Sequence, residues 1–455
     1  QAFFGGVHPH DMKAATNEKA IEQLAPPAVV VIPMSMHFGA PCTPLVKAGD
    51  HVKVGQKIGE FHGLGAPIHA SVSGTVKAVE PRPYSMGGNI TSVVIENDMQ
   101  DEVSEEVQAP ADPNALSVEE MVEIVKNAGI VGMGGATFPT HVKITSGIGK
   151  VNTVIINGAE CEPYITGDHR TMLERPEEII GGAKFLAKMF GVDKVVIGVE
   201  DNKRNGIDAM NKVIAEQKAP VVVEPLRCRY PQGGEKQLCQ AITGRQVPPG
   251  GLPADIGCAV FNINTTCAIY RALTTGMPVV RKIVTVSGSG VVEPKNLECP
   301  IGTPVSSLLD ACGGLKDGTY KLIAGGPMMG MAQYTADISV AKGTGAILAF
   351  CENEEKTVEN PQCIRCGKCV SVCPMHLEPL FMYQYASKGM VEELNDAHIM
   401  DCMECGACSY ICPARMHLTH MFKTGKQLVK DKAAADRAAA EAKKKAEEAK
   451  EAAAK

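Results

Sequence analysis

Two cysteine runs near the end of the 455-residue chain restrict its possible folds more than anything else in it. Cys363-Ile-Arg-Cys366-Gly-Lys-Cys369-Val-Ser-Val-Cys373-Pro reads C-x2-C-x2-C-x3-C-P, and Cys402-Met-Glu-Cys405-Gly-Ala-Cys408-Ser-Tyr-Ile-Cys412-Pro repeats it. That spacing lets three thiolates wrap one face of a [4Fe–4S] cube while the fourth cysteine reaches the other cluster. The predicted ligands are Cys363, Cys366, Cys369 and Cys412 for one cube, and Cys402, Cys405, Cys408 and Cys373 for the second. Gly367 and Gly406 let the backbone curl close to the sulfides, where amide N–H groups tune the potential. Tetrahedral zinc is the competing reading of C-x2-C pairs. Zinc has no use for a third and fourth cysteine in each run, doubled, each ending in Cys-Pro. Between the runs, Leu377, Leu380, Phe381, Tyr385, Met390 and Leu394 suggest helix, so an all-helical two-cluster ferredoxin module is expected. Such a pair suits one-electron relay and needs a donor and an acceptor.

Composition narrows the rest. Lys+Arg total 45 against 51 Asp+Glu, a net charge of −6, and no basic block stands beside aromatics. That argues against a nucleic-acid surface, as does the absence of Trp. Apolar runs such as Ala28–Ile32 are far shorter than the ~20 residues of a membrane span. No charged-then-apolar leader opens the sequence, so a soluble, intracellular protein without its own span is expected, docked on something else. The 17 cysteines are odd in number and do not read as a disulfide framework. Those outside the two runs, among them Cys42, Cys161, Cys228, Cys239, Cys258, Cys267 and Cys351, lack ligand spacing and read as small buried residues.

Along the chain, the first ~100 residues read as β structure. Val29–Ile32 is a strand, and Val46–Glu60 and Ala66–Val79 are alternating stretches with glycine turns. This pair resembles the barrel-sandwich hybrid of lipoyl and biotinyl carriers. Where those carriers present a modifiable lysine, this chain has His69-Ala-Ser-Val-Ser-Gly74, so the domain reads as structural. Asp98 to Asp112 is an acidic, Pro-punctuated linker. Ser117-Val-Glu-Glu120 is a capping box ahead of an amphipathic run. The apolar strands Val151–Ile156 and Lys194–Val199 are separated by helical patterns at Glu177–Phe190 and Asn205–Glu216, which predicts a parallel α/β sheet. Val279–Leu348 reads as a small α+β module with strands Lys282–Ser287 and Lys321–Ala324 around a helix at Pro304–Ala311. Glu354–Glu359 is a charged bridge. From Lys426 on, Ala, Lys and Glu dominate. Pairs such as Glu441–Lys445 favour a solvated helix, yet with no apolar stripe a frayed or disordered tail is expected.

The α/β section holds the donor candidate. Gly132-Met-Gly134-Gly135-Ala-Thr-Phe138-Pro-Thr-His-Val-Lys143 is glycine-rich but not G-x-G-x-x-G; alone it reads as a tight turn. The strand at Val151–Ile156 runs into Asn157-Gly-Ala-Glu160-Cys-Glu162-Pro163 and then Asp168-His-Arg170. Taken separately, Glu160 and Glu162 read as surface acids. Together they stand at the C-terminal end of a parallel strand, where α/β sheets bind ligands.

These segments, with Tyr230-Pro-Gln-Gly-Gly-Glu235-Lys-Gln-Leu and Asn262-Ile-Asn-Thr265, occur in the order seen in the flavin- and NADH-binding subunit of respiratory complex I. Residues 1 to about 425 resemble one family of that superfamily, the C subunits of Rnf complexes. Gly5-Gly-Val-His-Pro-His10, Gly244-Arg-Gln-Val-Pro-Pro249, Gly325-Gly-Pro-Met-Met-Gly330 and the doubled cluster motif carry the likeness. Rnf complexes are membrane-bound ferredoxin:NAD+ oxidoreductases that couple electron flow to Na+ or H+ transport. The resemblance implies a multidomain α/β plus β fold. Its parts are a barrel-sandwich hybrid (1–105), a Rossmann-like FMN/NAD(H) domain (112–277), an SLBB-like β-grasp (278–352), the helical ferredoxin domain (358–425) and the tail (426–455). It implies FMN lined by Gly132, Gly134, Gly135, Lys143, Asn157, Glu160, Tyr230, Glu235, Asn262 and Thr265. Phe138 would flank the adenine or nicotinamide side and Glu162 would contact NAD(H). Glu160 and Glu162 are the candidate catalytic pair, Glu160 orienting the nicotinamide and steering charge. Met133 and Ala159 depart from the Arg and Asp of the complex I relatives. Gly325–Gly330 reads as a chain turn before a pocket element.

A flavin is also required physically: nicotinamide moves two electrons as a hydride, a cube carries one, and a flavin handles both. The implied partners are an iron–sulfur B subunit and membrane-embedded subunits, with ferredoxin reached indirectly, on the cytoplasmic face of the membrane. A soluble cobalamin reductase of the same architecture, or a structural adaptor with a vestigial pocket, are the competing readings.

Overall fold

The computed structural model describes residues 3–351 and 358–453. Most of the expected bridge Glu354–Glu359 lies outside the described residues. The chain forms two compact units: residues 8–247 with 251–351, and residues 3–7, 248–250 and 358–453.

The first unit begins with β1 (Glu22–Gln23), which pairs in parallel with a later strand. The barrel-sandwich follows as β2 (Val29–Pro33), β3 (Thr43–Pro44), β4 (His51–Val52), β5 (Lys57–Glu60), β6 (Ile68–His69), β7 (Gly74–Pro83) and β8 (Asn89–Asn97). They form two antiparallel sheets, ordered β2-β8-β7-β4 and β3-β5-β6. Alternate residues of β2 and β8 (Val30, Ile32, Val93, Ile95) are fully buried, as a two-faced sandwich requires. The stretch His69–Gly74 is buried throughout, and Ser71 Oγ donates to the carbonyl of Ile301. It is packing, not a presented loop.

The α/β domain contains α1 (Val118–Asn127), α2 (Thr140–Gly147), β9 (Thr153–Gly158), α3 (Gly167–Glu174), α4 (Pro176–Phe190), β10 (Val195–Glu200), α5 (Arg204–Gln217), β11 (Val221–Leu226), α6 (Glu235–Thr243), β12 (Cys258–Asn262) and α7 (Ile263–Thr275). The capping box is present: Ser117 Oγ accepts from Glu120 N at 3.2 Å and Glu120 Oε2 accepts from Ser117 N at 2.7 Å. The sheet is wholly parallel, ordered β11-β10-β9-β12. Both faces are covered. Val154 and Ile156 join a core with residues of α4, α5 and α7, while Ile155 joins another with Leu238 of α6. That explains the continuous apolar run read in the sequence. The chain steps from β9 to β10 and β11, then returns to place β12 on the other side of β9. The crevice at the carboxyl ends of β9 and β12 is therefore the topological switch point.

The third region is a six-stranded mixed sheet, β1-β14-β13-β17-β15-β16. Its strands are β13 (Arg281–Ser287), β14 (Lys295–Pro300), β15 (Thr319–Ala324), β16 (Met331–Gln333) and β17 (Ala346–Cys351), with α8 (Val305–Ala311) packed on it.

In the second unit, α9 (Lys368–Ser371), α10 (Pro379–Ser387), α11 (Val391–Asp396), α12 (Ala407–Ile411) and α13 (Leu418–Ala453) are all helical. Leu377, Met382, Leu394, Leu418, Phe422 and Val429 form its core. Residues 3–7 belong here: Gly6 N donates to Val372 O at 2.8 Å, and Phe4 stacks on His376. The expectation of a frayed tail is corrected, because α13 runs unbroken to Ala453. Ala and Lys/Glu are strong helix formers, and the turn after Val429 grows from a helix already anchored in a core, so no new nucleus is needed.

Candidate functional site

The two cysteine runs fold alike. Gly367 and Gly406 both adopt the left-handed conformation (φ 75° and 77°), and so do Arg365 and Glu404 inside the two C-x2-C turns. Each C-x2-C turn aims an amide at sulfur: Arg365 N reaches Cys363 Sγ and Glu404 N reaches Cys402 Sγ, both at 3.4 Å. Leu377 N adds a third such contact to Cys373 Sγ. These are the donors that tune sulfide and thiolate sites. Two cavities result. One, with ≈ 430 Å³ of empty space, is lined by Cys363, Cys366, Cys369 and Cys412; the other, with ≈ 360 Å³, by Cys373, Cys402, Cys405 and Cys408. Each therefore receives three cysteines from one run and the fourth from the other. Among the described residues no group of three or more His, Cys, Asp or Glu side chains is arranged to hold a single metal ion. Two cages, each lined by four cysteines shared between the runs, suit a pair of cubes. Burial pushes the thiols up, Cys402 to about 11 and Cys405 to about 12, with Cys408 also raised. A coordinating metal reverses this by holding the thiolate.

The α/β crevice gathers the other candidates. Asn157 and Asn262 are register neighbours at the ends of β9 and β12. Asn157 Nδ2 donates to Gly233 O at 2.8 Å, joining β9 to the Tyr230–Glu235 loop. Asn262 Oδ1 caps α7, accepting from Asn264 N at 2.9 Å, while its Nδ2 donates to Asp168 Oδ2 at 2.7 Å. Thr265 Oγ1 accepts from Met133 N at 2.9 Å and so seats the glycine loop. A side chain on Gly134 would touch Asn262, whereas Gly135 faces open space. Lys143 Nζ pairs with Glu235 Oε1 at 2.7 Å beside the uncapped start of α6. Tyr230 is buried, and Phe138 is half-buried against the exposed Phe38 ring.

The two glutamates have intramolecular work. Glu160 accepts from the amides of Asp168 (2.6 Å) and His169 (3.2 Å), so it caps α3. Glu162 accepts from Met328 N and Met329 N, both at 3.0 Å. Any Cβ on Gly326 would strike that carboxylate, so glycine there permits the close approach. The run Gly325–Gly330 thus turns the chain and also grips Glu162. Glu160 and Glu162 stay partly accessible, and burial raises both to about 7, opposed by Lys13 for each and by the Met328 and Met329 amides for Glu162.

Sequence reasoning missed what braces these loops. Lys13 Nζ donates to the carbonyls of Glu160 (2.9 Å), Glu162 (3.0 Å) and Ile165 (2.5 Å). Lys203 Nζ donates to Ala159 O at 2.7 Å and pairs with Glu200 at 3.2 Å. Lys282 Nζ reaches Met133 O, and Lys342 Nζ reaches Gly129 O and Pro67 O. All four are buried. Burial lowers Lys13, brings Lys282 to about 8 against the pull of Asp168, and brings Lys342 to about 7. No local pattern marks them, because their partners are loop carbonyls far along the chain.

A switch-point crevice with a glycine loop, in the same chain as a two-cage cysteine module, defines a flavin- and iron–sulfur-type electron-transfer protein. Comparison with known families agrees. Residues 1–100 match the RnfC barrel sandwich hybrid domain, 125–271 the Nuo51 FMN-binding domain, 283–332 the SLBB domain and 355–413 the 4Fe-4S dicluster domain. The chain is 45% identical over 401 residues to the C subunit of the Na(+)-translocating ferredoxin:NAD(+) oxidoreductase complex of Acetobacterium woodii, covering 88% of this chain and 90% of that one. It is 43% identical to the proton-translocating counterpart of Clostridium ljungdahlii (88% and 87% covered). It is 41% identical to the C subunit of the ion-translocating oxidoreductase complex of Rhodobacter capsulatus (82% and 73% covered). An NAD+-reducing [NiFe]-hydrogenase in the H2-reduced state shares the fold at TM-score 0.50 and 18% identity, over 70% of this chain and 64% of that one. The chain belongs to the family of C subunits of ion-translocating ferredoxin:NAD(+) oxidoreductase complexes.

Proposed function

We propose that this chain is the nicotinamide-side electron-transfer subunit of such a complex. It exchanges a hydride with NAD(H) at FMN and relays single electrons through two [4Fe–4S] clusters to or from a partner, coupled to Na+ or H+ transport. The observation that carries this is the sharing of cysteines: each cavity draws three from one run and one from the other, in the same chain as an accessible switch-point crevice.

Bound FMN would supply the conversion between two-electron and one-electron chemistry. Gly132, Gly134 and Gly135 leave backbone room for it. Lys143, Asn157, Tyr230, Glu235, Asn262 and Thr265 are the polar lining, and the uncapped N-terminus of α6 suits an anionic phosphate. Phe138 offers an apolar wall for the nicotinamide or adenine side. Glu160 and Glu162 hold the loop after β9 in shape on the side that would receive NAD(H). They orient; the hydride needs no proton from them. Cys363, Cys366, Cys369 and Cys412 ligate one cluster, and Cys402, Cys405, Cys408 and Cys373 the other.

The partners are an iron–sulfur B subunit and membrane-embedded subunits, met at the cytoplasmic face of the membrane. Among the described residues no helix is long and apolar enough to cross one. The test is the cofactor inventory of anaerobically prepared, iron-replete protein. Flavin, with iron and labile sulfide for two cubes and NADH-dependent bleaching, is the expected result. Colourless protein, or zinc in place of iron, overturns the proposal.

A further inference from the structure

The two cysteine cages differ in how far they reach solvent. In one, Cys373, Cys405 and Cys408 are buried and Cys402 is half-buried; in the other, Cys363 and Cys366 are exposed and Cys369 and Cys412 half-buried. The loop over the open cage carries Ile364, 67% exposed, with Val370 and Phe381 also on the surface. Arg365, Lys368 and Arg415 are exposed on the same two motif ends, and among the described residues no acidic one lines the cavity. The buried cage is finished differently. At the position equivalent to Arg365 it has Glu404, paired with Lys426 at 2.7 Å, and His376, the counterpart of Arg415, stacks on the Phe4 ring at 4.5 Å. The motif repeats its backbone but not its surface.

An apolar centre inside a charged rim is the composition of a protein docking patch, not of a solvated loop. Basic charge there steers an acidic partner and repels a basic one. A lipid headgroup surface would satisfy the same charges but cannot accept an electron, whereas the patch surrounds the most exposed redox ligands in the chain. We propose that the open cage is the port of this protein, and that Ile364, Arg365, Lys368 and Arg415 dock an acidic iron–sulfur carrier domain. Each encounter would move one electron: the carrier's reduced centre is oxidised by one and the open-cage cluster is reduced by one, so two encounters together with one proton balance the reduction of one NAD+ to NADH. This rests on the two-cluster reading above.

The test uses cluster-loaded full-length protein and a dithionite-reduced acidic 2[4Fe–4S] ferredoxin as the probe. For the wild type, the second-order rate of cluster reduction in stopped flow should fall steeply with added salt. The double variant Arg365→Glu, Lys368→Glu should lower that rate at low salt by about 10-fold or more and flatten its salt dependence. Glutamate is compatible with the left-handed backbone at 365, since Glu404 adopts it in the sister motif. Isothermal titration with oxidised ferredoxin should weaken in parallel, while the EPR spin count of the two clusters stays at the wild-type value. Lys368→Gln alone should shift both readouts in the same direction by less. An unchanged rate and affinity with both clusters intact overturns the docking face. So does a wild-type rate indifferent to salt, or a loss seen only on phosphatidylglycerol vesicles, which would assign the rim to lipid. Wild-type protein without two cubes fails at the spin count, before any docking measurement, and takes the underlying reading with it.

Discussion

The cluster unit and the flavin-bearing unit are held together by different physics. In residues 358–425 the helices α9 to α12 are short, and the core includes Cys373 and Cys408 with Cys369, Cys402 and Cys412 packed against it, thiols that a bound group would hold as thiolates. In residues 8–351 the site loops are fastened by buried lysines whose ammonium groups each find backbone carbonyls, over a conventional doubly covered sheet. One region depends on its cargo to be itself. The other is preorganised before any ligand arrives, which is what a hydride site needs if geometry is to do the positioning.

Perturbations should therefore separate the two. The largest effect is expected from iron removal: chelation of the reduced holoprotein should melt the cluster unit, seen as new proteolytic cuts between residues 358 and 425, and leave the other unit's unfolding transition in place. Coincident loss of both transitions breaks the contrast. Within the cluster unit, Cys412→Ser and Cys363→Ser should abolish the same EPR signal, and Cys373→Ser the other.

Lys13→Met is the converse probe. It leaves three carbonyls without their donor, at a cost of about 4 kcal/mol in the flavin-bearing unit, with weakened FMN binding and both clusters spectroscopically unchanged. Acid should act on the same unit through Glu298. Burial raises this carboxyl, but hydrogen bonding and charge from Arg175, with Gln23 and Arg271, bring it down to about 2 from 4.5. Its contribution is then complete above pH 4.5 and lost as pH falls towards 2, about 3 kcal/mol in all, which Glu298→Gln should remove from the pH profile of urea unfolding. Ser117→Ala sharpens the scale at the small end: losing the cap of α1 should cost about 1 kcal/mol by denaturant melting and alter neither cofactor.

Much of this was legible beforehand because it is local. The doubled cysteine spacing, the capping box at Ser117 and the alternation of Val151–Ile156 with helices each fix their structure within a few residues. The candidate site was half legible. Glu160 and Glu162 stand where the parallel strand ends, but that one caps α3 and the other grips Met328 and Met329 depends on contacts up to 167 residues away. Lys13 has no signature in sequence, since a lysine bound for three carbonyls looks like any surface lysine. The tail misled for a related reason. Without an apolar stripe it has nothing to pack on, yet α13 is nucleated by Leu418, Phe422 and Val429 upstream and simply continues.

The capture of residues 3–7 by the cluster unit has a consequence for how the chain can be divided. Gly5 sits so near Val372 and Cys373 that only a hydrogen fits in place of a side chain, and Gly6 donates to Val372 beside a predicted ligand. A strip synthesised more than three hundred residues ahead of its mate must wait, unmatched, until the last cysteine run emerges. A fragment starting at residue 358 would leave that flank of Cys373 bare, so the module's natural unit of expression is the unbroken polypeptide.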